Sequence, residues 1–221
     1  MPKLPEPPTA EGLRVRLEPD VVVLPPGTLL FRIYFVGTPH PPPSWNAFRG
    51  FGPAGTARFD HHPEPQGVHD GFGILYLARE IKTCVAEAFQ EGRAVDARSG
   101  EPWLVAFRLS AEVRLLSLRG DWPTRAGASM AINSGPRPRC RRWSRAIHAA
   151  YAGLHGLLYA SSMHANREAI ALYERARYAI PRSPEANMPL SRPGLEPDLE
   201  RFARELGYDL VLGSASRTTD P

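Results

Sequence analysis

At 221 residues, 43% apolar and 23% charged, the chain has the composition of an ordinary folded domain, which excludes bulk disorder and permits a core without covalent staples. Two cysteines, Cys84 and Cys140, exclude a disulfide scaffold or a multi-cysteine zinc module, and no stretch approaches the roughly 18 apolar residues of a membrane span. The net charge of +4, carried by 25 Arg and 2 Lys, is too modest to select an anionic partner and reads as coding bias. Met1 to Glu18 holds no apolar leader, so the expected location is the cytoplasm.

Fourteen of the 24 prolines lie in residues 1–65 and only four in 66–180, which predicts a regular middle between loop-rich ends. Residues 1–20 read as a flexible arm, frayed over Met1–Pro8, and 21–215 as one folded domain without repeat or linker. Val21–Leu24 and Leu29–Val36 are strand candidates, rich in Val, Ile, Phe and Tyr. Pro39–Pro43 reads as a stiff, polyproline II-like stretch. Gly73–Ala78 is a further strand. Arg79–Glu91 has Ile81, Cys84, Val85, Ala88 and Phe89 at helical spacing. Trp103–Leu109 and Val113–Leu118 read as strands, Arg141–Leu154 as a helix with Trp143, Ile147, Ala150, Tyr151 and Leu154 on one face. Leu157–Ser161 is a strand; Ala169–Tyr173 suits strand or helix. Pro197–Leu206 is helical and Asp209–Leu212 a short final strand. Mixed without strict βαβ alternation, these elements predict an α+β fold.

Four local motifs carry chemistry in principle, and each has a plainer reading. Gly50 to Gly55 spells GxGxxG but lacks the strand before and the helix after that a dinucleotide site requires, and reads as a glycine-rich loop. His61-His62, near His69 and Asp70, could suggest a metal, but adjacent residues on an extended chain point to opposite sides; a polar surface loop is expected. Arg137, Arg139, Arg141, Arg142 and Arg145 could meet nucleic acid, yet no recognition motif accompanies them, and a solvated helix start is the simpler reading. Ser161-Ser162 with His164 lacks the elbow of a serine hydrolase.

A more specific set arrives in order along the chain. Arg32 lies within the apolar strand Leu30-Phe31-Arg32-Ile33-Tyr34, where a buried guanidinium demands a partner or an anionic ligand. Arg58 follows a glycine loop in Gly55-Thr56-Ala57-Arg58-Phe59-Asp60. Ile74-Leu75-Tyr76-Leu77-Ala78 runs into the helix carrying Thr83-Cys84-Val85-Ala86-Glu87. Gly156-Leu157-Leu158-Tyr159-Ala160-Ser161 ends a strand in serine. The ordered set, over about residues 29–173, resembles the RES-domain family, named for its Arg, Glu and Ser. Where that family commonly has Gly-Gly-Arg-Trp-Asn, this chain has Thr56-Ala57-Arg58-Phe59-Asp60, and Ala160 replaces the Pro of Tyr-Pro-Ser.

The resemblance implies an ADP-ribosyltransferase-like mixed β-sheet core with flanking helices. It also implies a toxin that degrades NAD by cleaving the nicotinamide–ribose bond, with water, phosphate or a protein side chain as acceptor. Arg32, Tyr76, Glu87 and Ser161 are then the catalytic candidates, and Arg32, Arg58, Tyr76 and Ser161 the NAD-binding ones. Two Arg forks suit the pyrophosphate, Tyr76 would stack on nicotinamide, Glu87 would stabilise an oxocarbenium-like ribose, and Ser161 would orient the ribose or carboxamide. NAD enters as substrate and no metal is called for. A separate Xre-type antitoxin is the implied partner, with no nucleic acid or membrane bound directly. Protein ADP-ribosylation, an inactive nucleotide- or partner-binding module, and nucleic-acid binding through the Arg cluster remain as alternatives.

Overall fold

The computed structural model describes residues 3–38 and 44–212; the Pro39–Pro43 stretch lies outside them. In chain order the elements are α1 (Ala10–Arg16), β1 (Val21–Leu24), β2 (Leu29–Phe35), β3 (Phe51–Gly52), β4 (Gly67–Val68), β5 (Ile74–Ala78), α2 (Ile81–Ala88), β6 (Ala94–Asp96), β7 (Pro102–Arg108), β8 (Val113–Ser117), α3 (Trp122–Arg125), α4 (Arg137–Ala150), β9 (Gly156–Ala160), β10 (Glu168–Tyr173), β11 (Ala186–Pro189), α5 (Glu196–Leu206) and β12 (Asp209–Val211). Eight strands form one mixed sheet in the order β1-β8-β9-β10-β5-β2-β7-β11, flanked by helices. The β8–β9 pair is parallel and its other pairs are antiparallel. This is the expected α+β architecture, and none of its described helices is long and apolar enough to cross a membrane.

The central strands are apolar throughout because both of their faces are covered. Strand periodicity sends alternate residues to opposite sides. Ile74, Leu157, Tyr159, Ala169 and Ala171 join Trp122, Trp143 and Ile147 beneath α1, α3 and α4. Leu75, Leu77, Leu158, Ile170 and Leu172 join Trp45, Phe48 and Phe107 on the other side. A third cluster, with Val85, Phe89, Leu199 and Phe202, seats α2 against α5. Each such side chain contributes about 1.5–3 kcal/mol on burial.

One joint in the sheet is thin. β2 pairs with β7 at seven positions, Leu29 to Phe35, but meets β5 at one, Phe31 opposite Ala78. Beyond that point no further pairing joins β2 to β5 among the described residues.

Residues 1–20, expected as a flexible arm, contain a helix the sequence reading misses. Thr9 caps α1 by accepting from the Gly12 N–H. Leu4 and Leu13 are buried against α4, Trp143 Nε1 donates to the Pro5 carbonyl, and Glu6 pairs with Arg142. The short apolar spacing of Leu13 and Leu17 only makes sense once α4 offers a face. α4 starts four residues earlier than expected because Pro136 and Pro138 fall at its cap and first turn, where a missing N–H costs nothing.

Candidate functional site

The gap between β2 and β5 opens into a cleft of about 540 Å³, lined among others by Arg32, Arg49, Arg58, Tyr76, Glu87 and Arg137. Four of the five residues singled out in sequence therefore meet at one place. β2 supplies Arg32, the loop after β3 supplies Arg58, β5 supplies Tyr76, and α2, which follows β5 after a two-residue turn, supplies Glu87.

Glu87 is half-buried on the last turn of α2. Burial pushes its carboxyl above the ordinary carboxylate range, while the Ser161 hydroxyl, Arg58 and Arg137 pull the other way. Ser161 Oγ donates to Glu87 Oε1 at 2.5 Å. The same oxygen accepts from the backbone N–H groups of Met163 and His164. Ser161 is fully buried and is not among the residues lining the cleft. Its hydroxyl is placed to hold Glu87. The Ser161–His164 dyad is absent among the described hydrogen bonds, since only the His164 backbone reaches the serine.

Tyr76 is held by its hydroxyl, which donates to Asp60 Oδ1 at 3.0 Å and accepts from the Phe59 N–H at 2.9 Å. Burial and the neighbouring Asp60 push the phenol well above its usual range, so it stays protonated. Asp60 is completely buried and collects further donors: Arg49 Nη2 on both oxygens at 2.8 Å and the Ala54 N–H at 2.7 Å. A carboxylate buried this deeply is tolerable only when its lone pairs are filled and a cation faces it. The departure from Asn to Asp at position 60 is thus matched by Arg49, which the sequence reading missed. Arg49 also donates to the Phe51 carbonyl. A lone Arg in a loop gives no periodic signal; only the charge at Asp60 pointed to a missing partner.

Arg32 is 8% exposed, and burial draws its guanidinium down to about 10, still protonated at neutral pH. Its Nη1 donates to the Trp45 carbonyl at 2.6 Å, which ties the 44–49 loop to β2. Arg58 Nη1 donates to the Gly135 carbonyl at 2.5 Å and also lines an adjoining groove with Arg93, Arg137, Ser134 and Ser162. Arg137, from the Arg cluster, bonds Gln90 at the rim. The rest of that cluster is engaged within the molecule and does not form a solvated helix start. Arg139 reaches the Leu4 carbonyl, Arg141 the Ala54 carbonyl, Arg142 Glu6, and Arg145 the His62 carbonyl.

The glycine run holds the two-residue strand β3 and is otherwise loop, and no helix begins there. Gly52 is required because a Cβ would lie 2.4 Å from the His62 ring. His61 and His62 correct the surface-loop expectation, since both are completely buried. They do not point to opposite sides, since their ring centroids lie 5.3 Å apart, but they take different partners: His61 Nε2 meets Glu174 Oε2 at 2.8 Å, whereas His62 Nε2 meets the Arg49 carbonyl. His148 Nε2 bonds the other Glu174 oxygen at 2.8 Å. His61, His148 and Glu174 are the group among the described residues with three ligand atoms within 4.8 Å. Arg175 Nη2 lies 3.3 Å from His148 Nδ1 and, being a donor, places the imidazole proton on Nε2, the atom a metal would need. Burial draws His61 down to about 4.

A search of curated proteins finds no match to this sequence. Among solved structures, the fold is similar to a chain of the crystal structure of the M. tuberculosis MbcT–MbcA toxin–antitoxin complex, with a TM-score of 0.54 and 16% identity over 81% of this chain and 92% of that one. The profile of the RES domain matches residues 29–196, a span that takes in Arg32, Arg58, Tyr76, Glu87 and Ser161. The chain belongs to the RES-domain family.

Proposed function

We propose that the protein consumes NAD by cleaving its nicotinamide–ribose bond. The observation that carries this reading is the pairing of one half-buried carboxylate, Glu87, with several guanidinium groups and a fixed tyrosine in a single cleft. Arg58, Arg32 and Arg137 supply positive charge for a pyrophosphate. Tyr76, anchored through its hydroxyl, offers a ring face to nicotinamide. As the C1′–N bond breaks, its electron pair leaves with nicotinamide and positive charge develops on the ribose. Glu87 stabilises that charge, and its raised proton affinity suits it to accept the proton of an attacking water. Ser161 keeps the carboxylate turned inward.

With water at C1′ the products are ADP-ribose, nicotinamide and a proton; with phosphate, the ribose carries the phosphate instead. We further propose that the chain acts in the cytoplasm as the toxin of a toxin–antitoxin pair, restrained by an Xre-type antitoxin. Support comes from family membership and from the toxin–antitoxin complex to which the fold is similar. The deciding experiment mixes pure protein with NAD, with and without phosphate, and follows products by chromatography. Nicotinamide release is expected, and the partner product names the acceptor. Intact NAD beside measurable NAD binding would replace the enzyme reading with a non-catalytic binding module.

A further inference from the structure

The turn after β9, residues 162–166, is fastened to α2 at two points. Ser161 Oγ donates to Glu87 Oε1, and His164 Nδ1 lies 2.8 Å from Thr83 Oγ1. Thr83 and Glu87 are four residues apart on α2 and so share one helix face. Thr83 and Ser161 are completely buried and His164 nearly so, which makes either contact costly to leave unpaired. The turn itself is tightly closed. The His164 N–H donates to Ser161 Oγ, Asn166 N–H to the Ser161 carbonyl and Arg167 N–H to the His164 carbonyl. Ala165 and Asn166 stand at φ of 45° and 59°, a left-handed pair that side-chain-bearing residues keep only where surrounding contacts hold them. His164 is therefore joined by its backbone to the hydroxyl that reaches Glu87, and by its ring to the helix that carries Glu87.

We propose that Thr83 and His164 are positioning residues for Glu87. Their contact locks the 162–166 turn onto α2, so that the Ser161 hydroxyl is delivered to the carboxylate and holds it in one orientation toward the cleft. This rests on the reading of Glu87 as the charge that stabilises the breaking nicotinamide–ribose bond. Loss of the lock should misorient that charge and reduce kcat, while leaving KM for NAD nearly unchanged, because the carboxylate acts chiefly in the transition state.

The test compares wild type with Thr83→Val, His164→Leu and His164→Asn. Two readouts are nicotinamide release and the 13C resonance of the Glu87 carboxyl, assigned with Glu87→Gln. Thr83→Val is isosteric and removes only the hydroxyl; His164→Asn keeps a polar atom near the Nδ1 position. Expected are a kcat loss of about 10–100-fold with KM within about twofold for Thr83→Val and His164→Leu, recovery in His164→Asn, and a Glu87 resonance displaced in the first two variants alone. Unchanged kcat, an equal change in KM, or an undisplaced resonance in folded Thr83→Val would overturn the proposal. Should wild type release no nicotinamide, the NAD reading fails by itself. The Glu87 resonance then decides alone whether the lock exists.

Discussion

Arg32 shows how one residue can serve fold and site together. Its guanidinium is nearly sequestered, yet it remains charged, and its bond to the Trp45 carbonyl fastens a loop that walls the cleft. Arg32→Ala leaves that carbonyl unsatisfied, so urea unfolding should report a loss of about 1.5–3 kcal/mol; an unchanged midpoint would show the bond contributes nothing. Sequence exposes such a residue, because a charge inside Leu30–Tyr34 stands out against its neighbours. It hides Asp60 and Arg49, whose pairing depends on two loops meeting in space. Buried histidines are hidden for the same reason. An unfolded His61 takes a proton near pH 6.5, the folded one near 4. Between those values the unfolded chain binds more protons, so stability falls as pH drops through that window. Glu174 acts in the same direction: burial alone would raise it, but bonds from His148 and His61 hold it low, a contribution present above the unfolded carboxylate value and lost below it. Denaturation at pH 7 and pH 5 should show wild type weakening, with a flatter response in His61→Gln. Equal stability at both values in wild type would contradict the assignment.

At the level of elements, the strands were legible because the core dictates them. Val21–Leu24 coincides with β1, and the strand expectations at Leu29, Val113 and Leu157 start within one residue of their elements. Periodicity that reports packing on both faces needs no knowledge of the partner. α1 was not legible: seven residues with one buried leucine form a helix only because α4 lies beside them. The two-residue strands β3 and β4 and the four-residue α3 are likewise products of tertiary contact. Removing residues 1–17 should therefore do more than shorten a tail. It exposes the surface covered by Leu4 and Leu13 and strips the Trp143 and Arg142 contacts. A stability loss of about 3–6 kcal/mol is expected from the two leucines, measured by chemical denaturation. A truncated chain as stable as the full one would return the segment to the role of a loose arm.

Across the whole molecule, the cleft follows from a sheet that is nearly two sheets. β1-β8-β9-β10-β5 and β2-β7-β11 meet at a single paired position, and β2 and β5, the strands at that joint, carry Arg32 and Tyr76. Four of the five residues picked in sequence line the resulting cleft, and the fifth, Ser161, stands behind Glu87. Their order along the chain pointed to a family; the hydrogen bond between Ser161 and Glu87 required the fold. The proposed function requires the Glu87 carboxylate to stabilise the charge formed as the nicotinamide–ribose bond breaks. Burial raises the proton affinity of Glu87, so ionising it costs stability that is lost as pH rises from the ordinary carboxylate value to the raised folded one and is fully lost above it. Glu87→Gln should therefore fold at least as well as wild type at neutral pH. The most direct measurement is nicotinamide release and NAD affinity for Glu87→Gln beside wild type. Turnover should fall by about 10²–10³-fold with NAD affinity within a few-fold; near-normal release by the folded variant would remove Glu87 from the reaction.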